Sequence, residues 1–153
     1  MLVVYYSKTG NTKKVAQDLA KELKADIDEI IDLKDRNGIK GWLLGGRDAT
    51  KSCLTEIKTN KDPSKYDLVI IGTPIWAWNS TPAVRTYITN FKNRFKKVVI
   101  FATSGGTKIE KIVPVFKKIL NKKIDIYEGW IATEIKNNKI YQEKINKFIK
   151  KIL

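Results

Sequence analysis

Residues 2–23 read Leu2-Val3-Val4-Tyr5-Tyr6-Ser7-Lys8-Thr9-Gly10-Asn11-Thr12-Lys13-Lys14-Val15-Ala16-Gln17-Asp18-Leu19-Ala20-Lys21-Glu22-Leu23. The run through Tyr6 is apolar and aromatic, the composition of a strand buried on both faces. A polar loop, Ser7 to Thr12, follows it. Val15, Ala16, Leu19, Ala20 and Leu23 then recur at helical spacing. The order is strand, polar loop, amphipathic helix, and it repeats down the chain. Asp67 to Gly72 is a second solid apolar strand, its loop runs from Thr73 to Thr81, and after Pro82 the residues Val84, Tyr87, Ile88, Phe91 and Phe95 mark a helix. Pro82 suits the first helical turn, where no N–H is needed. Val98 to Ala102 leads through Thr103-Ser104-Gly105-Gly106-Thr107 into a helical pattern from Ile109 to Leu120, in which Pro114 must kink the helix or displace its start. Ile124 to Ala132 is a further strand, followed by a terminal helix with Tyr141, Ile145, Phe148, Ile149 and Ile152 on one face. Asp26 to Ile31 is a weaker strand after the first helix.

Five strands alternating with helices imply βαβ crossovers, so the expected fold is α/β: an open five-stranded parallel sheet with helices on both faces, one domain over residues 1–153. Residues 33–60 are the exception. Gly38, Gly41, Gly45 and Gly46 interrupt a helical stretch holding Trp42, Leu43 and Leu44, and the expectation there is a long loop plus a short helix.

Composition removes several kinds of chemistry. The 153 residues include no His and a single Cys, Cys53, so a Ser-His-Asp triad, a Cys-His pair, a zinc ligand set and a disulfide framework are all excluded. No carboxylate pair has a spacing that suggests acid-base work. No catalytic residue and no metal ligand is therefore assigned, and any chemistry falls largely to a bound cofactor. Cys53 reads as a small buried hydrophobe, and Tyr127 and Trp130 read as core. The first strand begins at residue 2, which leaves no room for a secretory leader, and no stretch approaches 18 apolar residues, so the expectation is a cytoplasmic protein with no membrane contact.

In an open parallel sheet, ligands bind outside the carboxyl ends of the strands, where strand order reverses. Three loops leave those ends here. Ser7, Thr9, Asn11 and Thr12 can all donate hydrogen bonds, Gly10 allows a tight turn, and a helix N-terminus follows, which suits a phosphate monoester. The Gly-Lys-Ser/Thr of a Walker loop is missing, and the same residues would also serve as an ordinary helix cap. The second loop, Thr73-Pro74-Ile75-Trp76-Ala77-Trp78-Asn79, carries two indoles, either of which could instead pack back onto the helix after Pro82. Flat aromatic surface beside a phosphate site suits a ligand planar at one end and phosphorylated at the other. The third loop, Thr103 to Thr107, puts Gly105 and Gly106 after a buried strand, where a planar ligand can lie against bare backbone.

Those three loops, in order and in register with five βα units over nearly the whole chain, resemble the flavodoxin family. The resemblance implies a three-layer sandwich with strand order 2-1-3-4-5 and FMN as cofactor. It implies that Ser7, Thr9, Gly10, Asn11 and Thr12 bind the phosphate with Lys8 adding backbone and charge, and that Thr73 helps at the phosphate or ribityl end. It implies also that Pro74, Ile75, Trp76, Ala77 and Trp78 cover one edge and face of the isoalloxazine, and that Thr103, Ser104, Gly105 and Gly106 meet its pyrimidine side. Two departures stand out. Ala77 occupies a position that is Gly in many members, where a positive φ costs Ala about 1 kcal/mol more than Gly. The third loop also lacks the aromatic residue that covers the outer flavin face in many members, which leaves that face open or covered by Trp42 or by a partner.

The function that resemblance implies is low-potential electron transfer between redox enzymes by a short-chain flavoprotein. The alternative is an FMN-dependent NAD(P)H:quinone-type oxidoreductase. A third possibility, a nucleic-acid-binding domain, is motivated only by a net charge of +14, from 30 Lys+Arg against 16 Asp+Glu. Residues 1–76 carry +2 and residues 77–153 carry +12, which suggests one basic face. The basic residues are almost all Lys and no nucleic-acid motif is present, so a solvated surface is favoured over nucleic acid. Since familiar carriers of this family are acidic and dock on basic enzymes, the inverted sign points to acidic redox partners, such as a ferredoxin-like protein.

Overall fold

The computed structural model describes residues 1–34, 38–121, 124 and 126–153, and the backbone alone for residues 38–40 and 42. In chain order the elements are β1 (Leu2–Tyr5), α1 (Asn11–Glu22), β2 (Asp26–Glu29), β3 (Ile31–Asp32), α2 (Gly38–Thr50), β4 (Ile57–Lys58), β5 (Val69–Trp76), β6 (Asn79–Ser80), α3 (Pro82–Phe91), β7 (Val98–Ser104), α4 (Val113–Leu120), β8 (Tyr127–Ile131), α5 (Ala132–Lys136) and α6 (Asn138–Ile152). The main sheet runs β2-β1-β5-β7-β8, all parallel, and β6 adds an antiparallel pairing to the end of β5. Counting the five parallel strands alone, this is the order 2-1-3-4-5. Order reverses between β1 and β5.

Every residue of β1 is buried because both faces of the sheet are covered. Its alternate side chains enter separate cores. Leu2 and Val4 pack with Val84, Tyr87 and Ile88 of α3 and Val113 and Phe116 of α4. Val3 and Tyr5 pack with Val15, Ala16 and Leu19 of α1 and Tyr141, Ile145 and Phe148 of α6. Gly72, in the centre of β5, makes this possible, since a Cβ there would stand 2.2 Å from the Phe101 ring. Phe101 in turn meets Trp130 edge-on at 6.1 Å, and Trp130 meets Phe148 at 5.5 Å.

Several elements differ from the expectation. β5 does not stop at Gly72 but continues to Trp76 and turns back as a hairpin through Ala77 and Trp78. Pro114 displaces the start of its helix: Ile109–Lys111 forms a 3-10 turn, and α4 begins at Val113 with the proline in its first turn. The last strand starts at Tyr127 rather than Ile124, and α5 occupies the connection to the terminal helix. The Gly-rich segment forms a 13-residue helix, α2, flanked by the two-stranded antiparallel ribbon of β3 and β4. Gly45 is accommodated there because the Trp76 ring lies against it, with 2.8 Å between a Cβ and Trp76 Cζ3. Cys53 is half-buried rather than core. Among the described residues no helix is long and apolar enough to cross a membrane.

The expectation of one basic face is also modified. The exposed Lys117 and Lys118 belong to α4 and the exposed Lys147 and Lys150 to α6, and these helices lie on opposite layers. The charge therefore flanks the β8 end of the sheet from both sides.

Candidate functional site

The three loops converge at the carboxyl ends of β1, β5 and β7. A cleft of about 180 Å³ is lined by Thr9 and Asn11 from the first loop, Pro74, Ile75 and Trp76 from the second, Thr103, Ser104 and Gly105 from the third, and Ala132 at the start of α5. None of these described lining residues carries a charge. Across its floor, Thr12 Oγ1 and Thr103 Oγ1 share a hydrogen bond of 2.8 Å, which ties the first loop to the third and buries both side chains.

The first loop does not cap its own helix. Gly10, at the N-cap of α1 with φ +91°, has no side chain to offer, and no side chain caps the helix in its place. Ser7 Oγ accepts from the Gly10 N–H at 3.2 Å, which holds the turn. The Thr12 hydroxyl is committed to Thr103. The first N–H groups of the helix are left with no intrahelical acceptor and with a partial positive charge, a ready site for an anion. Lys8 adds a cation nearby, its Nζ standing 5.7 Å from the centroid of the Trp76 ring.

The second loop forms one wall. Trp76 packs edge-on against Tyr6 at 5.7 Å and lies against Gly45 of α2, at the margin of the core that α3 also enters. Trp78 stays at the hairpin tip, 72% exposed. Both turn residues have positive φ, +47° for Ala77 and +57° for Trp78, the pattern of a two-residue type I′ turn. The hairpin is anchored from below by Asn79. Its Nδ2 donates to Ala49 O at 3.0 Å, and its Oδ1 accepts from Ser80 N at 2.9 Å and from Arg85 Nη2 at 2.7 Å. Arg85 is only 7% exposed, and that burial holds its pKa below the usual guanidinium value.

Thr73 does not reach the cleft. It is fully buried, and its hydroxyl donates to Pro74 O at 2.9 Å and lies 3.4 Å from Thr81 Oγ1. In the third loop Ser104 Oγ donates to Thr107 O at 2.6 Å and accepts from Gly106 N at 3.2 Å, so it shapes the turn. Gly105 lines the cleft, and a Cβ at either Gly105 or Gly106 would meet nothing within 4 Å. The Trp42 side chain, suggested as a cover, lies outside the described residues. Ala132 was not among the expected residues, because the segment after β8 carries no loop signal. A second cleft, of about 350 Å³, adjoins the first and shares Ile75 and Trp76 with it, adding Leu43, Gly46, Arg47 and Ala77. Its α2 residues were missed too; the glycines among Leu43 to Gly46 were the available signal. Among the described residues no group of three His, Cys, Asp or Glu side chains could hold a metal ion.

An open parallel sheet with an uncapped helix N-terminus facing an uncharged cleft beside its switch point defines an α/β protein built to bind a ligand with an anionic end. The chain belongs to the flavodoxin family: the family's model, described as Flavodoxin, matches residues 44–152. It is 29% identical over 146 residues to the flavodoxin-like domain-containing protein BilS of Clostridioides difficile, an alignment covering 88% of this chain and 69% of that one. It is similar to a flavoprotein of Lactobacillus acidophilus whose crystal structure is a complex with FMN, at 27% identity and a TM-score of 0.73, over 89% of this chain and 95% of that one. The NMR structure of the apo-form of the L. acidophilus flavoprotein aligns at 26% identity with a TM-score of 0.59, over 88% and 93% of the two chains.

Proposed function

We propose that this protein binds FMN in the cleft at the carboxyl ends of β1, β5 and β7 and passes low-potential electrons between redox enzymes. The observation that carries the reading is the uncapped N-terminus of α1, which opens into a cleft with one aromatic wall and one glycine-rich wall. Ser7, Lys8, Thr9, Gly10, Asn11 and Thr12 would hold the phosphate, through the helix N–H groups and the side chains of Thr9 and Asn11. The backbone of Pro74 to Trp78 would lie along the isoalloxazine edge, with Thr103, Ser104, Gly105 and Gly106 against its pyrimidine side. Thr73 would act through the wall it braces. FMN supplies the redox chemistry; the residues hold it, exclude water from one face and leave an edge accessible. The similarity to an FMN complex supports the cofactor. The partner is expected to be acidic, given the charge of +14.

The visible spectrum of the purified protein tests the cofactor. Flavin bands with FMN released on denaturation are expected, and a colourless protein that takes up no added FMN would overturn it. A second reading, an FMN-dependent oxidoreductase using NAD(P)H, is favoured by the second cleft adjoining the same wall. Stopped-flow mixing of the oxidised protein with NADPH separates the two: the carrier stays oxidised without a second protein, whereas the oxidoreductase bleaches.

A further inference from the structure

The second cleft has features that the cofactor site does not explain. Leu43 forms part of it and is 58% exposed, an apolar side chain left uncovered beside Ile75, Trp76 and Ala77. Gly46 lies in the interior of α2, where glycine weakens a helix relative to alanine. The neighbouring Gly45 is required by the Trp76 ring. Gly46 is not, since a Cβ there would meet nothing within 4 Å. What its missing side chain provides is room in the cleft. Arg47 brings the only charge among the described lining residues. Its Nη2 donates to Asp48 Oδ1 at 3.3 Å, but Asp48 Oδ2 is held at 2.8 Å by Lys34 Nζ. Among the described residues one carboxylate is thus shared by at least two cations, and the guanidinium fork keeps donors for another anion.

We propose that this cleft binds a flat, apolar molecule carrying one acidic group, a carboxylate or sulfonate. Its ring system lies between Leu43 and the Ile75–Trp76 wall, above Gly46, and its anion pairs with Arg47. The size of the cleft matches a ligand of two or three fused rings, and its lining is that of small-molecule sites in general, apolar with a few placed polar groups. The proposal rests on the FMN reading in one respect: the shared wall makes this ligand a neighbour of the cofactor. Binding itself requires only the protein.

Anthraquinone-2-sulfonate is the probe, titrated calorimetrically into the FMN-loaded protein, with the neutral 2-(hydroxymethyl)anthraquinone as comparison. Saturable one-to-one binding is expected. Arg47→Gln should weaken the sulfonate about tenfold, the equivalent of one charge-assisted hydrogen bond, and change the neutral compound less than about twofold. Gly46→Leu, which fills the cleft without disfavouring the helix, should abolish binding of both. FMN content and far-UV circular dichroism should be unchanged in both variants. Sulfonate binding that is absent from the wild type, or indifferent to both substitutions, overturns the proposal. Should the protein retain no FMN, the same titration on the colourless protein still reads this cleft through Gly46→Leu. A failed cofactor and a failed cleft therefore give different results.

Discussion

Ala77 and Trp78 turn the β5–β6 hairpin with positive φ at both positions, where two-residue turns ordinarily use Asn-Gly or a second glycine. Each pays a steric penalty, about 1 kcal/mol or more for an L-residue in this region. Ala77→Gly removes one such penalty and adds chain entropy to the unfolded state, so a net gain of about 0.5 kcal/mol is expected in the urea midpoint. Gly72 presents the opposite case. A Cβ there would lie 2.2 Å from Phe101 Cζ, within a ring that Trp130 fixes from its other side. Gly72→Ala should therefore destabilise the protein by about 1–3 kcal/mol, seen in the same denaturation. These two residues also show what the sequence could convey. The run Asp67 to Gly72 announces a buried strand, because apolar continuity is a property of the residues themselves. The need for glycine at its end depends on a ring 29 positions away in the chain, and the hairpin depends on a turn whose residues carry no turn signal.

At the level of elements, the parallel strands, the helices after the first, third and fourth of them and the terminal helix were legible, because each is an apolar pattern of one period bounded by polar residues. α2 was legible only as a short helix in a long loop, and α5 was not legible. α2 carries four glycines that argue against a long helix, and its packing on β5, β6 and α3, with the Trp76 ring against Gly45, outweighs their propensity. α5 is short and is held at its start by Glu134, whose Oε2 accepts from Ile131 N at 2.9 Å while Lys144 Nζ bonds both carboxylate oxygens at 3.0 and 3.2 Å. Partial burial raises the Glu134 pKa, but the hydrogen bonds from Ile131 and Lys144 outweigh it and hold the carboxyl below its ordinary value of 4.5. A depressed folded value means that the carboxylate stabilises the fold, with the contribution complete above pH 4.5 and lost as pH falls through the folded value. Glu134→Gln should cost about 1 kcal/mol at pH 7, and in guanidinium titrations the difference from wild type should shrink as pH falls below 4.5 and vanish once the folded carboxylate is protonated. A gap that persists in acid would mean that Glu134 acts by packing alone. The convergence of the three loops follows from the same elements, since strands in this order bring their carboxyl ends to one edge. Thr73 shows the limit: its place in the loop was legible, but its inward direction follows from the extension of β5.

For the whole molecule, the question is what a charge of +14 does when its lysines lie on both layers rather than on one face. No contiguous patch is needed for steering at low salt, because at about 0.01 M the Debye length is about 30 Å and an approaching partner meets the summed field of both layers, whereas at physiological ionic strength it is about 8 Å and most of that field is screened. FMN phosphate would offset only about two of these charges, so the loaded protein stays strongly basic. An acidic redox protein should therefore meet it fast at low salt. The second-order rate of electron transfer to a ferredoxin-like acceptor should fall more than about tenfold between 10 mM and 500 mM NaCl. Because α4 and α6 flank β8 from opposite layers, reversing Lys117 and Lys118 or reversing Lys147 and Lys150 to Glu should each slow the low-salt rate by about two- to threefold, and the two effects should multiply. If one pair carried the whole effect, docking would use a single helix face, as the charge count by halves first suggested. A rate indifferent to salt would remove the acidic partner, and leave the lysines as a solvated surface around a site that works through its clefts.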